Sequence, residues 1–285
     1  MAFLFLLLVM EFINVNGKIV KKNAASIRPD NHSYRYGDGL FETMRVTDGK
    51  ILLSDLHFQR LFAGLSVLKL QPTKFLNPLN LQKQIIQLCK KNDCEALARV
   101  RLSLSGGSGG LYDCDETILY LIECSSLDNE VYKLNENGLD IDVFNDAKKT
   151  CDAFANLKSA SHLPYVMAAR FAKENKLNDC LLLNSFNRIC DSTIANIFWI
   201  KEKNILTPPL TEGCIAGVMR AHVIKCLKDT KYELRETPCE IDDLQNADEI
   251  FLTNAIKGIR WVKQLRDKIY PNTITAQIYR QCMIS

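Results

Sequence analysis

The chain has 285 residues, of which 47% are hydrophobic and 24% are charged, a composition typical of globular proteins. Its 36 basic and 33 acidic residues leave a net charge of +3, which is too small to indicate a nucleic-acid-binding protein. No polybasic run favours a membrane surface, and the length predicts two domains. Composition therefore excludes disorder and charge-driven binding, but it identifies no function.

Residues 1–9 form an apolar segment that resembles the core of a signal peptide. The segment lacks a basic start and a small-residue cleavage site, and it is shorter than the roughly 20 residues that span a bilayer. We therefore predict that Met10 is the natural start and that residues 1–9 are an upstream extension. A degenerate export signal is the alternative.

Eleven cysteines occur without any CxxC pair, mostly within apolar runs. This pattern predicts reduced, buried thiols and a cytoplasmic protein rather than a disulfide framework. The four histidines are not spaced with one another or with cysteines as metal ligands usually are, so no metal site is predicted.

The first part of the chain alternates short strands with helices. One hairpin is predicted over residues 11–20 around Asn16-Gly17, and another joins strands 41–46 and 51–53. Ser54 is predicted to cap an amphipathic helix that runs to about residue 69. A helix over 79–91, strands over 97–105 and 117–124, and an interdomain linker over 125–130 complete this part.

The second part has predicted strands at 139–144, 180–183, 197–201, 205–206 and 249–253. Helices are predicted over 161–176, with Pro164 in the first turn, and over 216–228. No GxGxxG motif follows a strand, so a Rossmann fold is set aside. The expected architecture is a two-domain α/β (α+β) fold with domains over residues 1–125 and 126–285.

Two segments of the first part are candidates for ligand binding. Residues 36–46 (YGDGLFETMRV) have two glycines that permit a tight turn leading into a strand, and taken alone an ordinary hairpin is the favoured interpretation. Arg60 lies at the edge of the apolar stripe of its helix, and its planar guanidinium suits a phosphate or carboxylate. Taken alone, a solvated arginine is the simpler interpretation of Arg60.

Two further segments lie in the second part. Lys158 ends an extended stretch just before a helix, where a desolvated amine becomes a usable nucleophile or base. The turn over 213–219 enters a helix, and the free N–H groups of a helix start attract anions. Asp191 lies on a predicted strand edge. Taken alone, the simpler interpretations of these features are a surface lysine, an ordinary helix start and a solvated carboxylate.

Together and in this order, the four segments resemble the fold-type IV (class IV) family of pyridoxal-phosphate (PLP) enzymes, over about residues 12–262. That family includes branched-chain and D-amino-acid aminotransferases and 4-amino-4-deoxychorismate lyases. The resemblance implies a smaller N-terminal α/β domain and a larger C-terminal pseudo-barrel domain. It also implies a homodimer that acts on a small amino substrate.

The resemblance also assigns roles to residues. The lysine matching Lys158 bonds covalently to the cofactor and catalyses proton transfer, and the residue matching Asp191 contacts the pyridine nitrogen. The position of Ile215 packs on the ring. The phosphate is bound by the residues that match Arg60, Val218, Met219, Asn254 and Ala255. Arg45, Arg99 and Arg101 are candidates for binding substrate carboxylates, although the sequence does not fix their strand faces.

Within the family, GDGLFETMRVTDGK and LHFQRL are closest to the lyases, so conversion of 4-amino-4-deoxychorismate to 4-aminobenzoate and pyruvate is the expected activity. A class IV aminotransferase and a non-catalytic PLP-binding relative are the alternatives. Asp191 departs from the usual glutamate and has a shorter reach. Leu111 stands where some lyases carry a basic residue, and the residues after Lys158 differ from the expected Asn-bearing stretch.

Overall fold

The computed structural model describes residues 11–113, 115, 117–228 and 230–283, so the predicted upstream extension lies outside the described residues. The chain forms two compact units. The first comprises the described residues up to Asn129 together with Lys158–Ser161, and the second comprises Glu130–Leu157 and the described residues from His162 onward. The first crossing between the units therefore lies within the predicted linker over 125–130.

The first unit is built on a six-stranded antiparallel sheet in the order β2-β1-β6-β5-β3-β4. Both hairpins predicted from the turn sequences are present. Its strands are β1 Phe12–Val15, β2 Lys18–Lys21, β3 Leu40–Thr47, β4 Lys50–Ile51, β5 Leu97–Ser105 and β6 Leu119–Ser126. Its helices are α1 His32–Tyr36, α2 Ser54–Val67 and α3 Pro78–Lys91.

The two faces of this sheet carry different side chains. In the register of β3 and β5, Met44 lies opposite Val100, and both belong to the buried face against which the helices pack. Thr43 lies opposite Arg101, so the odd-numbered positions of both strands share the other face. The helix-bearing face is therefore the core, and the other face carries mostly polar side chains together with the ring of Phe41.

The start of α2 differs from the prediction. Ser54 is the first helical residue and not the cap, because Leu53 occupies the cap position with a left-handed φ of 54° and no side chain caps the helix. The Ser54 hydroxyl lies 3.4 Å from Asp55 Oδ1 instead. The strand predicted over 51–53 ends at Ile51, because Leu53 leaves the extended conformation.

The second unit contains two five-stranded sheets. One sheet has the order β12-β11-β10-β13-β14, and the other has the order β16-β15-β7-β8-β9. Their strands are β7 Asp140–Lys149, β8 Asp179–Asn184, β9 Ile189–Ser192, β10 Asn196–Lys201, β11 Asn204–Thr207, β12 Glu233–Glu236, β13 Glu249–Asn254, β14 Gly258–Val262, β15 Gln264–Leu265 and β16 Lys268–Ile269. The helices are α4 Leu163–Glu174, α5 Val218–Leu227, α6 Ile241–Asn246 and α7 Thr273–Met283.

One hydrophobic core joins the two sheets of this unit: Ile141 and Leu181 from one sheet pack with Ile197 and Ile250 from the other. Helix α4 covers the opposite side of β8, where Tyr165 joins a second apolar cluster. Side chains of β9 that point toward α4 are therefore buried between the sheet and this helix.

Several elements depart from the predicted bounds. Strand β7 continues five residues past the predicted end at residue 144, through a register shift between Phe144 and Lys148. Helix α4 begins at Leu163, two residues later than predicted. The sequence did not predict α1, β12, α6, β14, β15, β16 or α7. Among the described residues, no helix has both the length and the apolar character needed to cross a membrane.

Candidate active site

Asp191 forms the centre of a buried polar cluster in the second unit. It lies on β9 opposite Leu182, on the side covered by α4, and is only 2% exposed. Its carboxylate accepts four hydrogen bonds, which satisfy a charge that would otherwise be costly to bury. The donors are Lys149 Nζ at 2.9 Å, the Tyr165 hydroxyl at 2.8 Å and Ile215 N at 2.9 Å, all to Oδ2, and Asn196 Nδ2 at 2.9 Å to Oδ1.

Lys149 is a site residue that the sequence did not reveal. It is the last residue of β7, beyond the register shift, and its Nζ also donates to the Gly213 carbonyl at 2.5 Å. Burial disfavours its ammonium, but the charge of Asp191 outweighs burial and raises the pKa of Lys149. The same two causes, burial first, raise the pKa of Tyr165 well above its ordinary value. Lys149 is therefore a fixed cation near neutral pH and not a nucleophilic amine.

The N-terminus of α5 adjoins this cluster. Gly217 occupies its cap position without a side-chain cap, so the first backbone N–H groups of the helix, which include Val218 and Met219, receive no side-chain acceptor there. A Cβ on Gly217 would lie 1.8 Å from Asn196 Oδ1, so glycine is required for this close approach. Asn196 Nδ2 donates to the Ile215 carbonyl at 2.9 Å and thereby connects this turn to Asp191.

The end of β13 supplies further polar groups. Thr253 is paired with Asn196 across the sheet, and its buried hydroxyl has no hydrogen-bond partner within the described residues. Asn254 Oδ1 accepts from Ile256 N at 3.1 Å and Lys257 N at 2.8 Å, which fixes the turn that contains Ala255. An uncapped helix N-terminus and a buried orphan hydroxyl in this unit fit a phosphate group.

In the first unit, Arg60 is held by a buried carboxylate. Its Nε and Nη2 donate to the two oxygens of Glu42 at 2.8 and 2.5 Å, and His57 Nδ1 lies 2.6 Å from Glu42 Oε2. Burial acts to raise the pKa of Glu42, but the charge of Arg60 and the contacts with His57 and Arg60 lower that pKa to about 2. Glu42 is therefore ionised at neutral pH and orients the guanidinium.

Glu42 was also not predicted, although the sequence carries a signal for it. The buried face of β3 holds Leu40, Met44 and Val46, and Glu42 occupies the same alternating set. A carboxylate at a core-facing position needs a cationic partner. His57 and Arg60 are three residues apart in α2, on the face toward β3.

Lys158 is positioned by backbone pairing with the start of β3. Phe41 N donates to the Lys158 carbonyl at 2.9 Å, and Ala160 N donates to the Gly39 carbonyl at 2.7 Å. The half-buried Lys158 side chain places Nζ 4.4 Å from the centroid of the Phe41 ring. The guanidinium of Arg101 lies 3.8 Å from the same centroid. Two predicted site residues therefore meet on one aromatic ring.

The other two candidate arginines share the face of Phe41 and Arg101. Arg45 lies directly opposite Arg99 in the β3–β5 pair, and both are at odd-numbered positions. Arg45 is 5% exposed, whereas Arg99 is exposed. Desolvation is the main cause of the lowered pKa of Arg101, and the charge of Arg99 adds to it. Arg60, bound to Glu42, lies on the opposite face of the sheet.

The fold and these residues define a class of protein: an α/β protein whose second unit presents a helix N-terminus suited to a phosphate close to a buried carboxylate. The model of the family described as amino-transferase class IV matches residues 39–265. The chain belongs to the amino-transferase class IV family, whose members depend on PLP, and it is a PLP-dependent enzyme of fold-type IV. The predicted family, fold class and cofactor are thus confirmed.

The relatives of the chain include both lyases and aminotransferases. The chain is 30% identical over 251 residues to an aminodeoxychorismate lyase from Bacillus subtilis, covering 87% of this chain and 84% of the relative. It is 27% identical to a putative branched-chain-amino-acid aminotransferase from Methanocaldococcus jannaschii, covering 94% and 93%. The crystal structure of a putative 4-amino-4-deoxychorismate lyase from Legionella pneumophila superposes with a TM-score of 0.81 at 25% identity, covering 90% and 94% of the two chains.

Proposed function

We propose that the protein is a lyase that converts 4-amino-4-deoxychorismate to 4-aminobenzoate and pyruvate. The observation that carries this proposal is the shared sheet face of Arg45, Arg99 and Arg101, with Arg101 and Lys158 against the Phe41 ring. This substrate has two carboxylates, each of which suits a guanidinium. A branched-chain amino acid has one carboxylate and an apolar side chain, which this face matches less well.

Each side chain has a proposed task. When bound, PLP withdraws electrons from the amine-bearing carbon of the substrate. Lys158 Nζ accepts the proton from that carbon and returns it to the departing enolpyruvyl group, and the Phe41 ring keeps the amine partly desolvated. In the second unit, Val218, Met219, Asn254 and Ala255 are proposed to hold the phosphate, and Ile215 is proposed to pack on the ring. Arg60 is proposed to contact the phosphate while Glu42 orients it.

The Asp191 cluster supports lyase chemistry through its charge balance. The ammonium of Lys149 lies against the same carboxylate that is proposed to face the pyridine nitrogen. A neighbouring cation reduces the ability of Asp191 to stabilise a proton on that nitrogen. The cofactor ring is therefore proposed to withdraw electrons from the substrate only moderately. This suits a reaction in which the formation of an aromatic product supplies part of the driving force.

The aminotransferase is the second candidate, supported by the similarity to the Methanocaldococcus jannaschii relative over nearly both chains. In that reaction, Lys158 would return the proton to the cofactor instead of the substrate, and the amino donor would become a keto acid. A homodimer and a place in folate precursor synthesis are further parts of the proposal. Sedimentation of the PLP-loaded protein tests the dimer.

The deciding experiment incubates the purified, PLP-loaded protein with 4-amino-4-deoxychorismate and without any keto acid. Equal amounts of 4-aminobenzoate and pyruvate, with multiple turnovers, are expected for a lyase. A Lys158→Ala variant is expected to lose this activity, whereas Lys173→Ala, which changes an exposed lysine of α4, keeps it.

Two results would overturn the proposal. The first is an absence of 4-aminobenzoate together with conversion of leucine or D-alanine to a keto acid, which would establish the aminotransferase. The second is a protein that binds PLP but turns over neither class of substrate, which would identify a non-catalytic relative.

A further inference from the structure

Three buried cysteines in the first unit form a cluster that the proposed lyase reaction does not use. This thiol triad consists of Cys89 in α3, Cys94 just after that helix and Cys124 on β6. Their exposed fractions are 0%, 3% and 7%, and their sulfurs all lie within 4.8 Å of one another. The Cys94 and Cys124 sulfurs are 3.6 Å apart.

The local backbone explains why Cys89 and Cys94 meet. Asp93 has a left-handed φ of 53°, Cys94 N donates to the Cys89 carbonyl at 2.9 Å, and Asp93 N donates to the Lys90 carbonyl at 3.1 Å. These bonds form a Schellman motif, which brings the side chains at its two outer positions into contact. Those positions commonly hold two apolar residues, so the pair alone indicates only packing. The third thiol sets this site apart.

Cys124 reaches the pair from the sheet. It lies opposite Val100 on the buried face, beneath α3. Asn92 Nδ2 donates to Cys124 Sγ at 3.2 Å, and the same amide is fixed by two bonds with the Phe12 backbone, at 2.9 and 3.1 Å. The amide donor is therefore held in place by β1 and oriented toward sulfur.

The Asn92 amide places a hydrogen-bond donor against the Cys124 sulfur. A hydrogen-bond donor to sulfur also acts as an outer-sphere partner of metal-bound cysteines. The thiolate is the form of cysteine that binds metal ions.

We propose that the thiol triad binds a single Cu⁺ ion through three sulfur ligands. A thiolate–metal bond of about 2.3 Å in a trigonal arrangement places the sulfurs about 4.0 Å apart, which agrees with separations of 3.6 Å for one pair and at most 4.8 Å for all. Each thiol that becomes a thiolate releases its proton to solvent, and no electron is transferred.

The number of ligands favours Cu⁺ over Zn²⁺. Soft thiolates select both ions, but structural zinc sites almost always have four protein ligands. Within the described part of the chain, the cluster contains three ligating residues and no fourth His, Cys, Asp or Glu. The nearby Asn92 nitrogen is a donor and already hydrogen-bonds to sulfur.

The test is a Cu⁺ titration of the reduced, PLP-loaded protein without oxygen, in competition with bicinchoninate. Wild-type protein is expected to retain one Cu⁺ per chain. Cys94→Ala and Cys124→Ala are expected to bind Cu⁺ about 100-fold more weakly. Cys239→Ala, which changes a fully buried thiol of the second unit, is the matched control and is expected to retain the ion.

X-ray absorption of copper-loaded wild-type protein provides a readout that needs no variant, and three sulfur neighbours are expected. The proposal is overturned if the absorption spectrum shows two sulfurs or nitrogen and oxygen neighbours. It is also overturned if folded Cys94→Ala binds Cu⁺ as tightly as the Cys239→Ala control, or if wild-type protein retains Zn²⁺ but not Cu⁺ under the same competition.

Discussion

Lys149 Nζ lies 2.9 Å from Asp191 Oδ2, and both side chains are buried within the second unit. The ammonium is therefore part of the environment of the carboxylate predicted to face the cofactor. Its other contact, with the Gly213 carbonyl, links the pair to the segment that leads into α5. A change at Lys149 is expected to affect both stability and the electrostatics of the site.

The first prediction concerns the stability of this pair. Lys149→Met leaves a buried carboxylate without its cationic partner, and we expect the free energy of unfolding to fall by about 3–5 kcal/mol. The neighbouring Lys148→Met replaces an exposed ammonium and is expected to change the free energy of unfolding by less than about 0.5 kcal/mol. Urea unfolding of the two variants measures the difference, and equal losses would contradict the assigned ion pair.

The second prediction identifies the covalent lysine. Borohydride reduction of the PLP-loaded protein is expected to fix the cofactor to Lys158, as located by peptide mass mapping. Lys158→Ala is expected to give no such adduct and to lower kcat by a factor of about 10²–10⁴, because the proton-transferring amine is lost. Lys149→Met is expected to keep the adduct, since the raised pKa of Lys149 keeps it an ammonium. An adduct at Lys149 would reverse the assignment.

These two lysines also illustrate what the sequence could predict. Lys158 is predictable because its place before a helix, together with the order of the other motifs, matches a family. Lys149 follows a register shift in β7 that periodicity does not encode, and its partner Asp191 is 42 residues away. The hairpins at Asn16-Gly17 and Asp48-Gly49 were predictable because their turn chemistry is local. Pairing across a sheet depends on tertiary register and was not predictable in this way.

Glu42 represents an intermediate case. Its place in an apolar alternation showed that a carboxylate would be buried, and the spacing of His57 and Arg60 offered two partners on one helix face. The missing information was that α2 packs on β3. By contrast, β15 and β16 have only two residues each, too few to show any periodicity. Helix α7 buries Thr275, Ile278, Tyr279 and Cys282 at helical spacing, so its pattern is present in the sequence although the helix was not predicted.

The third prediction is the pH dependence of stability conferred by Glu42. Its pKa is about 2 in the folded protein against an ordinary value of 4.5. A lowered folded-state pKa stabilises the fold above the unfolded value and loses that contribution as the pH falls from about 4.5 toward 2. The shift corresponds to about 3 kcal/mol.

Urea unfolding over this acidic range measures the effect. Glu42→Gln is expected to be less stable at neutral pH and to show a shallower loss of stability on acidification than wild type. Glu174→Gln, which changes an exposed carboxylate at the end of α4, is the control and is expected to follow wild type. If Glu42→Gln lost stability with falling pH as steeply as wild type, Glu42 would not be the cause of the acid sensitivity.

The final prediction tests the phosphate-binding turn through Gly217. A Cβ at this position would collide with Asn196 Oδ1 at 1.8 Å, so Gly217→Ala forces Asn196 away from Asp191 and from the Ile215 carbonyl. Such overpacking typically costs 1–3 kcal/mol. If the strain is relieved by displacing the turn in the free protein, restoring the turn on binding costs a similar amount, and we expect the dissociation constant of PLP to rise by roughly 10- to 100-fold. Titration of the apo-protein with PLP measures this change. Gly110→Ala, at a position where a Cβ meets nothing within 4 Å, is expected to bind PLP as wild type does. Because the turn is proposed to bind the phosphate, saturating PLP should restore most of the kcat of Gly217→Ala. A kcat that stays low at saturating PLP would show that the turn serves the reaction and not only the binding of the cofactor.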